Sequence, residues 1–305
     1  MNAKKRYPVR KNHSRIKYAA AVAVLVLFIL IVMLLSPASK PQLSNSNTNS
    51  NTFYFKAAMV DEESLTYPNP AFVQNATTTL HNAGFTVDYI NYTDVTVDFY
   101  KNLPTHDYGI IILRVHSTVL PTTGWVTLCT SENYSTQKYV LEQLDNELLH
   151  VKLNAGGEDV FTLGPNFKMN GHFENTLIIM MGCDGLGVNG TSVYLGLAEM
   201  FVNLGAKAYV GWSTGVTDSG SDNATLQLLQ HLLVQRETLG DALLPIPSDP
   251  ITGAHLVGYP NSESSFVIPQ QSPQNNQTTG TTGIYANDTS LQNNKSPSQT
   301  RIRIS

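Results

Sequence analysis

The chain has 305 residues, 19 Lys+Arg against 23 Asp+Glu, and two cysteines. That cysteine count excludes a disulfide-stapled mini-fold and any zinc site built on cysteine pairs. Seven of the bases fall in residues 1–17, which hold no acid, so the rest carries twelve bases against 23 acids; so acidic a body argues against nucleic acid as a partner.

Residues 1–17 read as a basic cytoplasmic segment. No charged residue occurs in 18–39 (YAAAVAVLVLFILIVMLLSPAS). About 20 apolar residues at ~1.5 Å each span the ~30 Å hydrocarbon core, and a cleavable signal has only roughly 7–15. The stretch predicts an uncleaved, single-pass signal anchor in the cell membrane. Its basic flank stays in the cytoplasm and the main domain lies outside. Residues 40–52 (KPQLSNSNTNSNT) form a polar linker. Asn-X-Ser/Thr acceptors at Asn75, Asn91, Asn133, Asn189, Asn223, Asn276 and Asn287 agree with export and a glycoprotein, although an Asn- and Thr-rich composition yields the same motif by chance.

From residue 53 short apolar runs alternate with helical patterns. Strands are predicted at Phe55–Val60, Thr86–Asn91 and Tyr108–Val115, and helices at Pro70–Asn82 and Val97–Leu103. The run Ile110-Ile111-Ile112-Leu113 predicts burial on both faces, as in the middle of a parallel sheet. Trp125–Thr130 reads as a strand and Ser135–Leu149 as a helix. Thr176–Met181 is a further buried strand, followed by a helix over Thr191–Leu204, a strand over Ala206–Trp212, helices at Asp222–Val234 and from Thr238 to Leu243, and a last strand at Ala254–Tyr259. Residues 263–305 are rich in Ser, Gln, Asn and Thr and read as a disordered polar tail. The alternation over 53–262 predicts an α/β domain, a doubly wound α/β/α sandwich around a mostly parallel sheet.

Ligands of such sheets sit beyond the carboxyl ends of the strands. Two reactive side chains fall there: His116, after Leu113-Arg114-Val115, and Cys183, after Met180-Met181-Gly182. If their strands are parallel neighbours, the imidazole can deprotonate the thiol and the thiolate can attack a carbonyl. Backbone N–H groups of Cys183 and Ser117 would form the oxyanion hole. His172 is kept as a reserve base. A Cys129–Cys183 disulfide is the rival reading, and Cys129 alone reads as a small buried hydrophobe. No phosphate-cradling loop and no histidine pair at metal-ligand spacing occur, so no cofactor and no metal are expected.

His116 at the end of an Ile-rich strand, a second strand running into Gly182-Cys183-Asp184-Gly185, and then LGLAEMFVNLGAKAYVGWS together resemble the caspase-like cysteine peptidases, in particular the gingipain, clostripain and CHAT branches. The resemblance spans roughly Phe55–Tyr259 and is strongest over 108–118 and 177–213. It implies His116 as general base, Cys183 as nucleophile, no obligatory third residue and no metal in the chemical step. It also implies that Gly211, Trp212 and Ser213 wall the pocket for the substrate's first side chain, with Asp218 selecting Lys or Arg. Ser117 stands where most members have glycine, and its Cβ could crowd the substrate. Asp184 and Asp218 also suit turns, and Trp212 also suits a core.

Three functions follow as expectations. The first is a membrane-anchored, extracytoplasmic cysteine endopeptidase acting on peptides or proteins. The second is a catalytically inactive caspase-like domain serving as a surface binding module. The third is a CHAT-like domain that needs a partner protein to order its site.

Overall fold

The structure, a computed structural model, describes residues 52–153, 159–189 and 192–271. The basic segment, the apolar stretch 18–39, the linker up to residue 51 and the tail from residue 272 lie outside the described residues. Among the described residues no helix is long and apolar enough to cross a membrane.

In chain order the strands are β1 (Lys56–Asp61), β2 (Thr86–Asn91), β3 (Ile110–Arg114), β4 (Ser117–Val119), β5 (Val126–Asn133), β6 (Leu148–Lys152), β7 (Asp159–Leu163), β8 (Leu177–Met180), β9 (Val188–Asn189), β10 (Ser192–Val193), β11 (Ala208–Trp212) and β12 (Leu256–Tyr259). The α-helices are α1 (Pro70–Asn82), α2 (Val97–Asn102), α3 (Val140–Leu144), α4 (Gly196–Asn203), α5 (Asp218–Leu229) and α6 (Leu239–Leu243). Six strands form the main sheet in the order β12-β11-β8-β3-β1-β2. All its pairings are parallel except β11 with β12. The chain leaves β1 for β2 on one side and returns to β3 on the other, so the winding reverses between β1 and β3. This is the topological switch point, where the carboxyl ends of neighbouring strands open a crevice.

Strand periodicity divides the core. Ala57, Met59, Ile110, Ile112, Leu177, Ile179 and Val210 face α1, α5 and α6, while Ala58, Val60, Ile111, Leu113, Ile178, Met180 and Tyr209 face α2, α4 and a second sheet. Ile110 to Leu113 are fully buried, as the apolar run predicts. Helix α1 starts where Asn69 accepts the Phe72 N–H at 3.1 Å and Pro70 opens the first turn. Its buried stripe is Phe72, Ala76 and Leu80, one residue per turn. Thr96 caps α2 in the same way, through the Phe99 N–H.

Three expectations are corrected. Ser135–Leu149 is not one helix: α3 is five residues long, Asn146 turns the chain at φ 55°, and β6 follows. There β6 joins the antiparallel sheet β4-β5-β7-β6, whose existence the sequence did not reveal. The buried Leu148 and the His150 ring stacked 4.1 Å from Tyr134 favour the strand. Helix α4 begins at Gly196 rather than Thr191, after the short antiparallel pair β9–β10. Residues 263–271, assigned to the tail, continue the domain, because Ile268 is buried in the core beneath α6.

Candidate active site

Strands β3 and β8 are parallel neighbours, with Leu113 opposite Met180. The pairing continues one residue further, since the Met181 N–H donates to Leu113 O at 2.9 Å. His116 and Cys183 therefore leave adjacent strand ends on one edge of the sheet. Both line a single small cavity, with Glu63, Met181, Gly182, Val216, Asp218, Ser221 and Asp222 as its other walls. Its volume is about 20 Å³, room for about one water.

The cysteine turn is set by close backbone approach. A Cβ on Gly182 would lie 2.4 Å from Val115 O and 2.7 Å from the Ser117 hydroxyl, so only glycine fits between the two strand ends. Asp184 follows at φ 56°, in the left-handed region that aspartate tolerates. Its N–H donates to Thr214 O at 3.1 Å and its carbonyl accepts from Gly187, so Asp184 is a turn residue. The Ser117 hydroxyl donates to the Cys183 carbonyl. Ser117 thus ties the start of β4 to the cysteine turn.

The Cys183 thiol is half-buried and free; Cys129 is also free but lies fully buried in β5 beside the Thr162 hydroxyl. No disulfide joins them. The Val216 N–H points at Sγ from 3.5 Å and the thiol faces Val216 O at 3.6 Å. Burial pushes the thiol pKa above its ordinary value. The Val216 N–H works against that shift, while the charges of Asp184, Glu63 and Asp218 add to it.

His116 is held on three sides. Its backbone N–H donates to Glu62 Oε2 at 3.0 Å, its Nδ1 lies 3.6 Å from Glu63 Oε1, and its ring meets Tyr67 edge-on, with centroids 5.8 Å apart. Its carbonyl accepts the Cys129 N–H at 2.9 Å, tying the turn to β5. Glu62 and Glu63 follow β1, at the switch point. Burial pushes both carboxyls up to about 7; His116 lowers that of Glu62, and Arg114 that of Glu63. Glu62 Oε1 is buried without a hydrogen-bond partner.

Beneath them lies Arg114, the last residue of β3. It is 2% exposed, and five contacts hold its guanidinium. Nη1 donates to Asp61 Oδ1 at 2.8 Å and lies 3.5 Å from Glu63 Oε2, Nε donates to Asp222 Oδ1 at 2.9 Å, and Nη2 donates to Tyr67 O at 2.8 Å and reaches Asp222 Oδ2 at 3.4 Å. Asp222 also accepts from Asn69 Nδ2 at 2.8 Å, which joins α5 to the start of α1.

Of the residues expected in the substrate pocket, Asp218 lines the cavity with His116 and Cys183. Trp212 does not: its side chain is fully buried in the core and its Nε1 donates to Ser221 Oγ at 3.0 Å. Gly211 packs against Gly185 beneath the cysteine turn. Ser213 pairs with His255 through its N–H and its hydroxyl, continuing the β11–β12 edge away from the cavity. His172 is an exposed residue before the start of β8, packed at Gly205 and separated from Cys183 by the length of the strand. Sequence reasoning missed Glu62, Glu63 and Tyr67. The available signal was the acid run Asp61-Glu62-Glu63 closing the first buried strand. Among the described residues no cluster of side chains is arranged to hold a metal ion.

No protein-family model matches the chain, and no curated protein sequence matches it.

Proposed function

We propose that this chain is a membrane-anchored cysteine peptidase of caspase-like fold, with its catalytic domain on the outer side of the membrane. One observation carries the reading: His116 and Cys183 leave adjacent parallel strands and share one cavity at the switch-point edge.

In this mechanism His116 takes the Cys183 proton as the sulfur bonds to the substrate carbonyl carbon. The oxyanion is received by N–H groups of Cys183 and Ser117. The C–N bond then breaks and His116 returns the proton to the leaving amine. Water, deprotonated by His116, opens the thioester and frees the acid, restoring the thiol. The raised thiol pKa keeps the proton on sulfur at rest, so His116 removes it as the sulfur attacks an electrophile, whether a substrate carbonyl or an alkylating reagent. Glu63 faces the imidazolium that forms. Asp218, with Glu63 and Asp222 beside it, makes the cavity acidic and suited to a Lys or Arg side chain next to the scissile bond. The one-water cavity requires the walls at Val216 and Asp218 to part when substrate enters.

A second reading, a non-catalytic surface binding module, is favoured by that raised thiol and the narrow cavity. Incubation with a peptide library separates the two. Cleavage C-terminal to Lys or Arg that Cys183→Ala abolishes is the expected result. Cleavage unchanged in Cys183→Ala, or none by the wild-type chain, overturns the peptidase reading.

A further inference from the structure

We propose that Arg114 is a positioning residue for His116, acting through Glu63 and Tyr67. The proposal rests on the reading of His116 as the base for Cys183, and goes beyond it by assigning what sets the imidazole in place. Arg114 does not line the cavity and, at 2% exposure, meets no substrate. Yet both residues whose side chains meet the His116 ring are bound to its guanidinium, Glu63 at its carboxylate and Tyr67 at its backbone carbonyl. The Glu63 carboxylate bridges the two groups, with one oxygen 3.5 Å from Arg114 Nη1 and the other 3.6 Å from His116 Nδ1. Tyr67 is bound at its carbonyl by Arg114 Nη2, and its ring meets the imidazole edge-on.

The fork geometry of the guanidinium is what the arrangement requires. Its nitrogens reach β1 through Asp61, α5 through Asp222 and the loop before α1 through Tyr67. A lysine ammonium offers one point of charge and cannot span three such directions. Tyr67 is 43% exposed, and its backbone is held by Arg114 at the carbonyl and by Glu63 O at the N–H, 2.8 Å away. Phe72, whose ring centre is 5.8 Å from the guanidinium carbon, closes the site below. With the fork removed, Glu63 loses its counter-charge and Tyr67 the bond at its carbonyl, and the imidazole is free to turn away from the cavity it shares with Cys183.

The test is a mutant cycle on the full-length chain, read by iodoacetamide alkylation of Cys183 at pH 7.5 with mass spectrometry. Cys129 is fully buried and does not compete. Arg114→Lys, Glu63→Gln and Tyr67→Ala are each made with His116 present and in His116→Ala. The expected result is that His116→Ala slows alkylation, and that Arg114→Lys slows it roughly tenfold when His116 is present and leaves it unchanged in His116→Ala. Tyr67→Ala shows the same dependence, and combining it with Arg114→Lys adds no further loss; Glu63→Gln also removes a charge that raises the thiol pKa, so it quickens alkylation in His116→Ala and loses that gain when His116 is present. Equal slowing in both backgrounds, no slowing, or an inert His116→Ala overturns the proposal. Should Arg114→Lys fail to fold, Asp61→Asn keeps a neutral acceptor at the guanidinium, and the same dependence on His116 is required of it. A chain that cleaves no peptide but obeys this cycle sinks the peptidase reading and leaves the positioning role standing.

Discussion

At the Cys183 sulfur, burial and acidic neighbours act in one direction and a backbone N–H in the other. The balance keeps the thiol protonated, so alkylation by iodoacetamide should keep rising past the ordinary thiol value of ~8.5. Asp218 then has two effects of opposite sign. Asp218→Asn removes a charge that raises the thiol pKa, and alkylation at pH 7.5 should quicken about twofold to fivefold. The same change should cut kcat/KM on an arginyl peptide by roughly tenfold or more, since the counter-charge beside the arginine is lost. If both quantities fall together, Asp218 is structural and not a specificity group. His116 and Cys183 were legible in the sequence because apolar runs mark the strands whose ends they occupy. Glu63 was not, because nothing in one sequence puts the end of β1 beside the end of β3. Trp212 was left open between pocket wall and core, and its burial places the side chain in the core.

The helix carrying Asp218 begins at a cap that reaches across the fold. Thr217 caps α5 by accepting the Gly220 N–H at 3.1 Å, and its hydroxyl donates to Asp249 Oδ2 at 2.5 Å. Asp249 also accepts the N–H groups of Ile251 and Thr252. Burial pushes its carboxyl up, but the bonds from Thr217, Thr252 and Ile251 outweigh that and bring it to about 2. A carboxyl lowered by folding stabilises the fold fully above ~3.9, and that contribution fades as pH falls through about 2. Asp249→Asn should lower the melting temperature at pH 6 by roughly 2–8 °C, and the gap to wild type should close toward pH 2. A gap independent of pH places the effect in packing and not in the charge. Elements with a side-chain cap and an apolar stripe, such as α1 and α2, were legible to within a residue or so. The segment 135–149 was not, because its strand exists only through pairing with β7, whose partners lie from 7 (Lys152 with Asp159) to 15 (Leu148 with Leu163) residues away.

Across the whole molecule the order β12-β11-β8-β3-β1-β2 puts the longest buried runs at the centre. Ile112→Ala, in the middle of β3, should cost about 2–5 kcal/mol by urea unfolding. Alternation of strands and helices made the α/β class and the mostly parallel sheet legible. The second sheet was hidden, since its strands pair antiparallel and carry polar residues at about half their positions, and only β5 was legible as a strand. The switch point also gathers charge. Glu62 and Glu63 titrate near 7 in the folded domain and near ~4.3 when unfolded. Carboxyls raised in this way favour the folded state at low pH, so stability should fall as pH climbs from ~4.3 to about 7 and then level off. The melting temperature should be higher at pH 5 than at pH 8, and Glu62→Gln should flatten the difference. A profile that rises over that interval contradicts the burial of these groups.

Those two carboxyls make the domain a carrier of hydrogen ions in the mildly acidic range. Near pH 6 each holds one while folded and surrenders it to the solvent on melting. The heat absorbed in a calorimeter then includes the heat of whatever base collects them. Imidazole takes up a proton exothermically and phosphate almost athermally, so the apparent unfolding enthalpy should be smaller in imidazole. Glu62→Gln should shrink that gap between buffers.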